Sequence, residues 1–371
     1  MLLSRLTASV RRLAMVGLAK NTGKTEALAA LLRELETEGR LIGVTSVGRD
    51  GEEHDVIDAR IGKPRVRLPA GALVATTDAL LSVSEIPHTV LENTGVRTPL
   101  GGVLIARLRE PGTIEVAGPS GAEDVRAVSD AMLGHGAEQV LIDGAIDRRA
   151  ASAPSVTDGL VMSTGAVLGS ELEEVVARTR DAVDVVRLRE LDDARVRALA
   201  ELSAHGAGQS RSASVLVGAG YDALELAPRF VLSGDGREIE AALGSLPDAR
   251  WLIVHGALPE GFVNDVLRAR RAATGQLTLV VADSTRVFLS ERGPAWYRAQ
   301  GIEIRTLAPT RLEALTVNPV APQSHRFDSM SLRAALGEAI ADVPIFDVLD
   351  PDYGAGRERE PAASLARELA D

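Results

Sequence analysis

The segment GLAKNTGKTEAL, residues 17–28, constrains this chain more than any other. A loop that cradles phosphate must aim several backbone N–H groups at one point. Glycine permits the backbone angles and the close approach that this needs. The helix that follows adds its positive N-terminal end. A lysine reaches the β- and γ-phosphates, and the next Ser or Thr hydroxyl binds Mg²⁺. Those parts are Gly23, Lys24 and Thr25 here. The usual spacing is G-x-x-x-x-G-K-[ST], yet five residues separate Gly17 from Gly23. The surroundings have the required order. The apolar run LAMV (13–16) precedes the loop as a buried strand would. Leu28, Leu31, Leu32 and Leu35 follow at i, i+3, i+4 and i+7, one face of a helix, and Gly39 stands where a helix stops.

Lysine is scarce. The chain has three, Lys20, Lys24 and Lys63, and the other 38 of its 41 basic residues are arginine (41 − 3). Two of the three fall in this loop. An arginine cannot stand in for a compact ammonium cradled among phosphates. The candidate nucleotide-binding set is Gly17, Lys20, Asn21, Thr22, Gly23, Lys24, Thr25 and Glu26, with ATP and Mg²⁺ as the expected ligands. No Asn/Thr-Lys-x-Asp element is present, which tilts the expectation from GTP to ATP.

A phosphate-loop enzyme also needs a carboxylate on a neighbouring strand for Mg²⁺ or its water. VLIDG supplies Asp143 at the end of an apolar run. TSVGRDGEEHD (45–55) follows the second expected strand, and ligands gather at the carboxyl ends of strands in open parallel sheets. Asp50 is therefore a second candidate for Mg²⁺ and catalysis, with Glu52, Glu53 and Arg49 beside it. A solvated charged loop accounts for the same residues. Arg148 and Arg149 are candidates for stabilising a transferring phosphate, and equally for the surface. Ser120 and Glu123 have capping-box spacing. STG (163–165) and VNP (317–319) end strands and are weaker site candidates. The six histidines form neither H-E-x-x-H nor a metal-spaced pair.

Alternating short apolar runs and helical patterns imply α/β architecture with a mostly parallel sheet flanked by helices. Further expected strands are LIGVTSV (41–47), GALVAT (71–76), GGVLIARL (101–108), TIEVAG (113–118) pairing with it, QVLIDG (139–144), GLVMST (159–164) and AVDVVRL (182–188). The stretch SAHGAGQSRSA (203–213) turns small and polar. The expected organisation is a P-loop nucleotide-binding domain at 1–200, a second α/β domain at 214–350 and a tail at 351–371. RFVLSG, WLIVHG, LTLVVADS, EIRTLAP and ALTVNP would be the strands of the second domain.

Composition bounds the function. Net charge is −11 and pI about 5.2, which argues against nucleic-acid or anionic-membrane partners. Cysteine is absent, which removes disulfides and thiolate chemistry and fits a cytoplasmic setting. No apolar run approaches the roughly 20 residues of a membrane helix. The basic opening MLLSRLTASVRRLAMVGLAK reads as a lead-in to the first strand, since Arg5, Arg11 and Arg12 interrupt any signal-peptide core.

GLAKNTGKT resembles the loops of the dethiobiotin-synthetase-like class of P-loop proteins, where Gly-x₅-Gly-Lys-Thr is familiar. That class includes molybdopterin-guanine-dinucleotide adaptors, metallochaperone GTPases and cobyrinate amidases. Some members carry a signature lysine four places before the second glycine. Ala19 stands there and Lys20 one place later, a departure from that pattern. Members often have Asp-Gly or Glu-Gly where this chain has Asp143–Gly144.

Several longer stretches resemble one narrower family, the P-loop subunit of the reactivase for lysine 5,6-aminomutase. They are GLAKNTGKT (17–25), GVTSVGRDGEE (43–53), NTGVRTPLG (93–101), VAGPS (116–120), VLIDGAIDRRAASAPSVTD (140–158), STGAVLG (163–169) and TVNPVAP (316–322). The resemblance spans most of the chain and is densest before residue 170. It implies an ATP-driven repair chaperone that opens an adenosylcobalamin-dependent aminomutase so that damaged cofactor exchanges. The partner expectations are that aminomutase, a second reactivase subunit and a homodimer of this chain. The chain has no Asp-x-His-x-x-Gly, so any cobalamin would belong to the mutase. Two alternatives stand beside this reading: an ATP-dependent ligase of the dethiobiotin-synthetase type, and a nucleotide-gated regulatory module with little turnover.

Overall fold

A computed structural model of the chain describes residues 2–47, 65–145, 152–205, 214–226, 231, 236–270, 275–322 and 325–354. The chain divides into two compact units, Met1–Thr179 with Leu312–Asp371, and Arg180–Arg311. In chain order the first unit begins with β1 (Arg12–Gly17), β2 (Ile42–Ser46), β3 (Arg65–Leu68), β4 (Leu73–Thr77), β5 (His88–Thr98), β6 (Gly101–Leu108), β7 (Gly112–Glu115), β8 (Gln139–Ala145) and β9 (Gly159–Gly165). The second unit contributes β10 (Val215–Gly218), β11 (Ala223–Glu225), β12 (Ala249–Ile253), β13 (Leu258–Pro259), β14 (Leu277–Val281), β15 (Val287–Phe288) and β16 (Ile302–Thr306). The chain then returns to the first unit with β17 (Leu312–Asn318) and β18 (Ile345–Phe346).

The first unit is built on a nine-stranded sheet of order β18-β17-β9-β1-β8-β2-β4-β6-β5. From β18 to β4 every neighbouring pair is parallel; β6 pairs antiparallel with β4 and with β5. Every residue of β1, β2, β4 and β9 is buried, as befits strands covered on both faces. The helix Lys24–Thr37 presents Leu28, Leu31, Leu32 and Leu35, each at most 3% exposed, to one face. They pack with Leu13, Met15, Val44, Leu141 and Val161. On the other face Val125, Val128 and Met132 of the helix Ala122–Gly134 pack with Leu73, Ala75, Val140 and Ile142. Burying one such leucine contributes about 1.5–3 kcal/mol, so these faces hold the helices down. Gly39, at φ +69, closes the helix Lys24–Thr37 as its position in the sequence implies.

The second unit has a five-stranded sheet of order β11-β10-β12-β14-β16. β12, β14 and β16 run parallel, and β10 is antiparallel to both neighbours. Its core includes the fully buried Tyr297 and, from the helix Glu260–Ala269, Phe262, Val263 and Val266.

Several expectations need correction. The division runs differently from 1–200 and 214–350, because residues 312–318 pair with β9 in the first sheet. The ALTVNP strand thus belongs to the first unit. AVDVVRL does not form a strand: its first five residues complete the helix Leu172–Val186. Val175, Thr179 and Val183 are all buried at four-residue spacing, and that helical period outweighs the strand preference of valine. TIEVAG does not pair with β6; β7 pairs antiparallel with β3 instead. Ser120 does not cap its helix, whose N-cap is Gly121 with no side-chain hydrogen bond. β5 leaves little signal in the sequence, since a half-exposed edge strand lacks a strong apolar run. RFVLSG lies outside the described residues save Val231. The 351–371 tail is described only to residue 354.

Candidate functional site

β1 lies between β8 and β9, so whatever follows Gly17 emerges among the carboxyl ends of three parallel strands. This is where open α/β sheets bind ligands. Gly17 itself still belongs to the strand, opposite Ser163 and Ala145, and the Leu18 N–H extends the pairing by donating to the Ser163 carbonyl at 2.9 Å. The turn proper therefore runs from residue 19 to Gly23. That accounts for the early glycine: Gly17 is placed by close approach, since a Cβ there would lie 2.7 Å from Thr22 Oγ1. Thr22 is buried and donates Oγ1 to the Ala19 carbonyl at 2.9 Å, closing the turn on itself.

Asn21 and Gly23 both take left-handed backbone angles, φ 66 and 85. The helix Lys24–Thr37 starts directly after Gly23, which has no side chain to cap it, and the Ala27 N–H to Gly23 carbonyl bond opens the helical ladder. Among the described residues no side chain caps the start of this 14-residue helix, whose first-turn N–H groups form its positive end. Thr25 and Glu26 stand exposed on this turn, as do Lys20 and Asn21 in the loop.

Asp143 reaches the same place from β8. Strand alternation puts it on the face of Leu141, which packs with the leucines of the helix Lys24–Thr37. Its register partners are Met15 and Ser46. Lys24 Nζ donates to Asp143 Oδ1 at 2.6 Å, with the two side chains 22% and 20% exposed. Asn318, at the end of β17, approaches the loop from the opposite side and donates Nδ2 to the Asn21 carbonyl at 2.8 Å.

The loop, Lys24, Thr25 and Asp143 are thus brought together. Asp50, Glu52, Glu53, Arg49, Arg148 and Arg149 lie outside the described residues. Ser163 ends up structural: its carbonyl holds Leu18, and its hydroxyl bonds Thr316 Oγ1 at 2.7 Å. The link from Asn318 to Asn21 was not foreseen; the one local signal is Asn-Pro at the end of an apolar run. Among the described residues no group of three or more His, Cys, Asp or Glu could hold a metal ion. Mg²⁺ needs no such cage, since it binds through one or two protein oxygens, substrate phosphates and its own waters. Thr25 and Asp143 fit that donor set.

The chain is thus an α/β protein whose large, mostly parallel sheet is flanked by helices. Among the described residues no helix is long and apolar enough to cross a membrane. Comparison with protein-family models, with curated proteins and with solved structures finds no match.

Proposed function

We propose that this chain is a P-loop nucleoside-triphosphatase that binds ATP with Mg²⁺ on residues 17–25. One observation carries the reading: Lys24 and Asp143 meet 2.6 Å apart beside a helix N-terminus that no side chain among the described residues caps. A cation, a carboxylate and a row of backbone donors at one point are the parts that phosphoryl transfer uses. Lys24 would hold the β- and γ-phosphates, and the amides of the turn would cradle them. Thr25 Oγ1 would ligate Mg²⁺, with Asp143 accepting from its water. Asp50 remains a second Mg²⁺ and catalytic candidate in the proposal. Bound Mg²⁺ supplies charge neutralisation on the transferring phosphoryl group.

The long stretches that resemble the aminomutase reactivase subunit extend the proposal to a role. ATP turnover here would drive cofactor exchange on an adenosylcobalamin-dependent aminomutase, with a second reactivase subunit if the pair acts together. Such coupling requires that the protein bind two partner states with different affinity, gated by the γ-phosphate. The ligase of the dethiobiotin-synthetase type is the second reading, favoured by the Gly-x₅-Gly-Lys-Thr spacing.

Titration of the purified protein with a fluorescent ATP analogue, with and without Mg²⁺, tests the nucleotide site. Saturable binding that Mg²⁺ strengthens is the expected result. No binding of ATP or GTP in either condition sinks the proposal.

A further inference from the structure

The phosphate loop is tied at two points to strands far away in sequence. Near its start, Leu18 N–H is held by β9 through the Ser163 carbonyl. At its apex, Asn318 of β17 donates Nδ2 to the Asn21 carbonyl across 297 residues of sequence. The other end of the same amide is also used: Asn318 Oδ1 accepts the Val320 N–H at 3.1 Å. With both ends engaged, the amide has one orientation, and the donor faces the loop.

Asn318 also packs where the loop is least relaxed. A Cβ on Gly23 would stand 3.1 Å from Asn318 Cβ. Asn21 is one of three non-glycine residues with positive φ among those described, a conformation that asparagine tolerates better than most side chains but that neighbouring contacts must still hold. The approach of Asn318 is itself built in. A Cβ on Gly165 would fall 2.3 Å from the Asn318 carbonyl oxygen, so the glycine makes room for this backbone. Pro319 keeps Asn318 extended.

The consequence concerns the amides. A trans peptide is planar, with its C=O and N–H pointing in opposite directions. With the Asn21 carbonyl held by Asn318, the Thr22 N–H of the same peptide points away from Asn318. We propose that Asn318 is a positioning residue of the phosphate loop: it holds the Asn21–Thr22 peptide plane so that the loop amides converge on phosphate. This rests on the nucleotide reading above. It makes the strand that returns after the second unit part of the phosphate site.

Asn318→Asp tests it, because the acid keeps the shape and the acceptor for Val320 but cannot donate to Asn21. ATP and ADP affinities are measured by calorimetry on the full chain, with thermal midpoint and loop amide exchange on the nucleotide-free protein. Both Kd values should rise about tenfold, with their ratio unchanged, since the loop amides serve either nucleotide. Amide exchange should quicken at residues 18–25 and stay constant in β9, with the midpoint nearly unmoved. If Asn318→Asp fails to fold, Asn318→Ala, which keeps the Cβ packed on Gly23, is read by the same criteria. Wild-type protein that binds neither nucleotide overturns the nucleotide reading itself. Wild type that binds, beside a folded variant that binds within twofold as well, overturns only the role of Asn318. So does a variant that loses ATP but keeps ADP.

Discussion

Lys24 and Asp143 are 119 residues apart in the chain, yet their side chains meet at 2.6 Å because β1 and β8 are parallel neighbours in register. Each is only about one-fifth exposed, so the pair has a stronger claim on one another than surface ions, whose pairing contributes about 0–1 kcal/mol. A triphosphate with Mg²⁺ offers an anion to the lysine and a cation to the carboxylate at once. Under the proposal the pair is thus exchanged for the ligand at little electrostatic loss.

Lys24→Ala should abolish measurable ATP binding, at least a hundredfold in Kd, while the far-ultraviolet circular dichroism stays that of wild type. The remaining Asp143 retains access to water, so folding should survive. Unchanged ATP affinity would remove Lys24 from the site.

Asp143→Asn keeps the shape and removes the charge. Hydrolysis at limiting Mg²⁺ should fall tenfold or more, with a thermal midpoint within a few degrees of wild type. Turnover near the wild-type rate would show that another carboxylate serves Mg²⁺, Asp50 being the next to test.

Competition between ATP and GTP for the site should favour ATP, given the missing lysine-dependent guanine element. Tighter GTP binding would move the reading toward a metallochaperone-like GTPase.

Acid stability of the second unit should depend on Glu260. Burial pushes its carboxyl up, but hydrogen bonds from the Ser290 and Glu291 amides, the Ser290 hydroxyl and Tyr297 outweigh this and bring it from 4.5 down to about 2. The unfolded chain therefore binds the proton more tightly than the folded one between those values. The contribution, on the order of 3 kcal/mol, is present in full above about pH 5 and is lost as pH falls toward 2. Glu260→Gln should lower stability at pH 7 and flatten its fall between pH 5 and 2, as read by urea unfolding at each pH. A parallel fall in mutant and wild type would assign the acid sensitivity elsewhere.

The proposed role has its own assay. An adenosylcobalamin aminomutase is inactivated with its substrate, then given this protein, a second reactivase subunit, ATP, Mg²⁺ and fresh cofactor. Recovery should need ATP and fail with Lys24→Ala. Equal recovery without ATP would exclude coupling, and ATP cleavage stimulated by a dethiobiotin-type substrate would replace it with the ligase.

Much of the candidate site's arrangement was legible in the sequence because its parts are local. The loop, its helix and the leucine face obey spacings of three and four residues, and Leu28, Leu31, Leu32 and Leu35 are buried as that spacing requires. Asp143 was legible because an apolar run that stops at a carboxylate marks the carboxyl-terminal part of a strand, here two residues before β8 ends. Pairing decided the rest, and pairing leaves little trace in local pattern. Strand alternation is the same whether 312–318 joins a second sheet or returns to β9, so the second unit reads as a separate domain until the return is seen. Likewise 182–186 follows a helical period that five residues alone do not disclose. The hold of Asn318 on Asn21 depends on the order of three strands, β17, β9 and β1. Local chemistry determined which residues are candidates for gripping a phosphate; the sheet order, set by burial of both faces, decided which distant residues stand beside them.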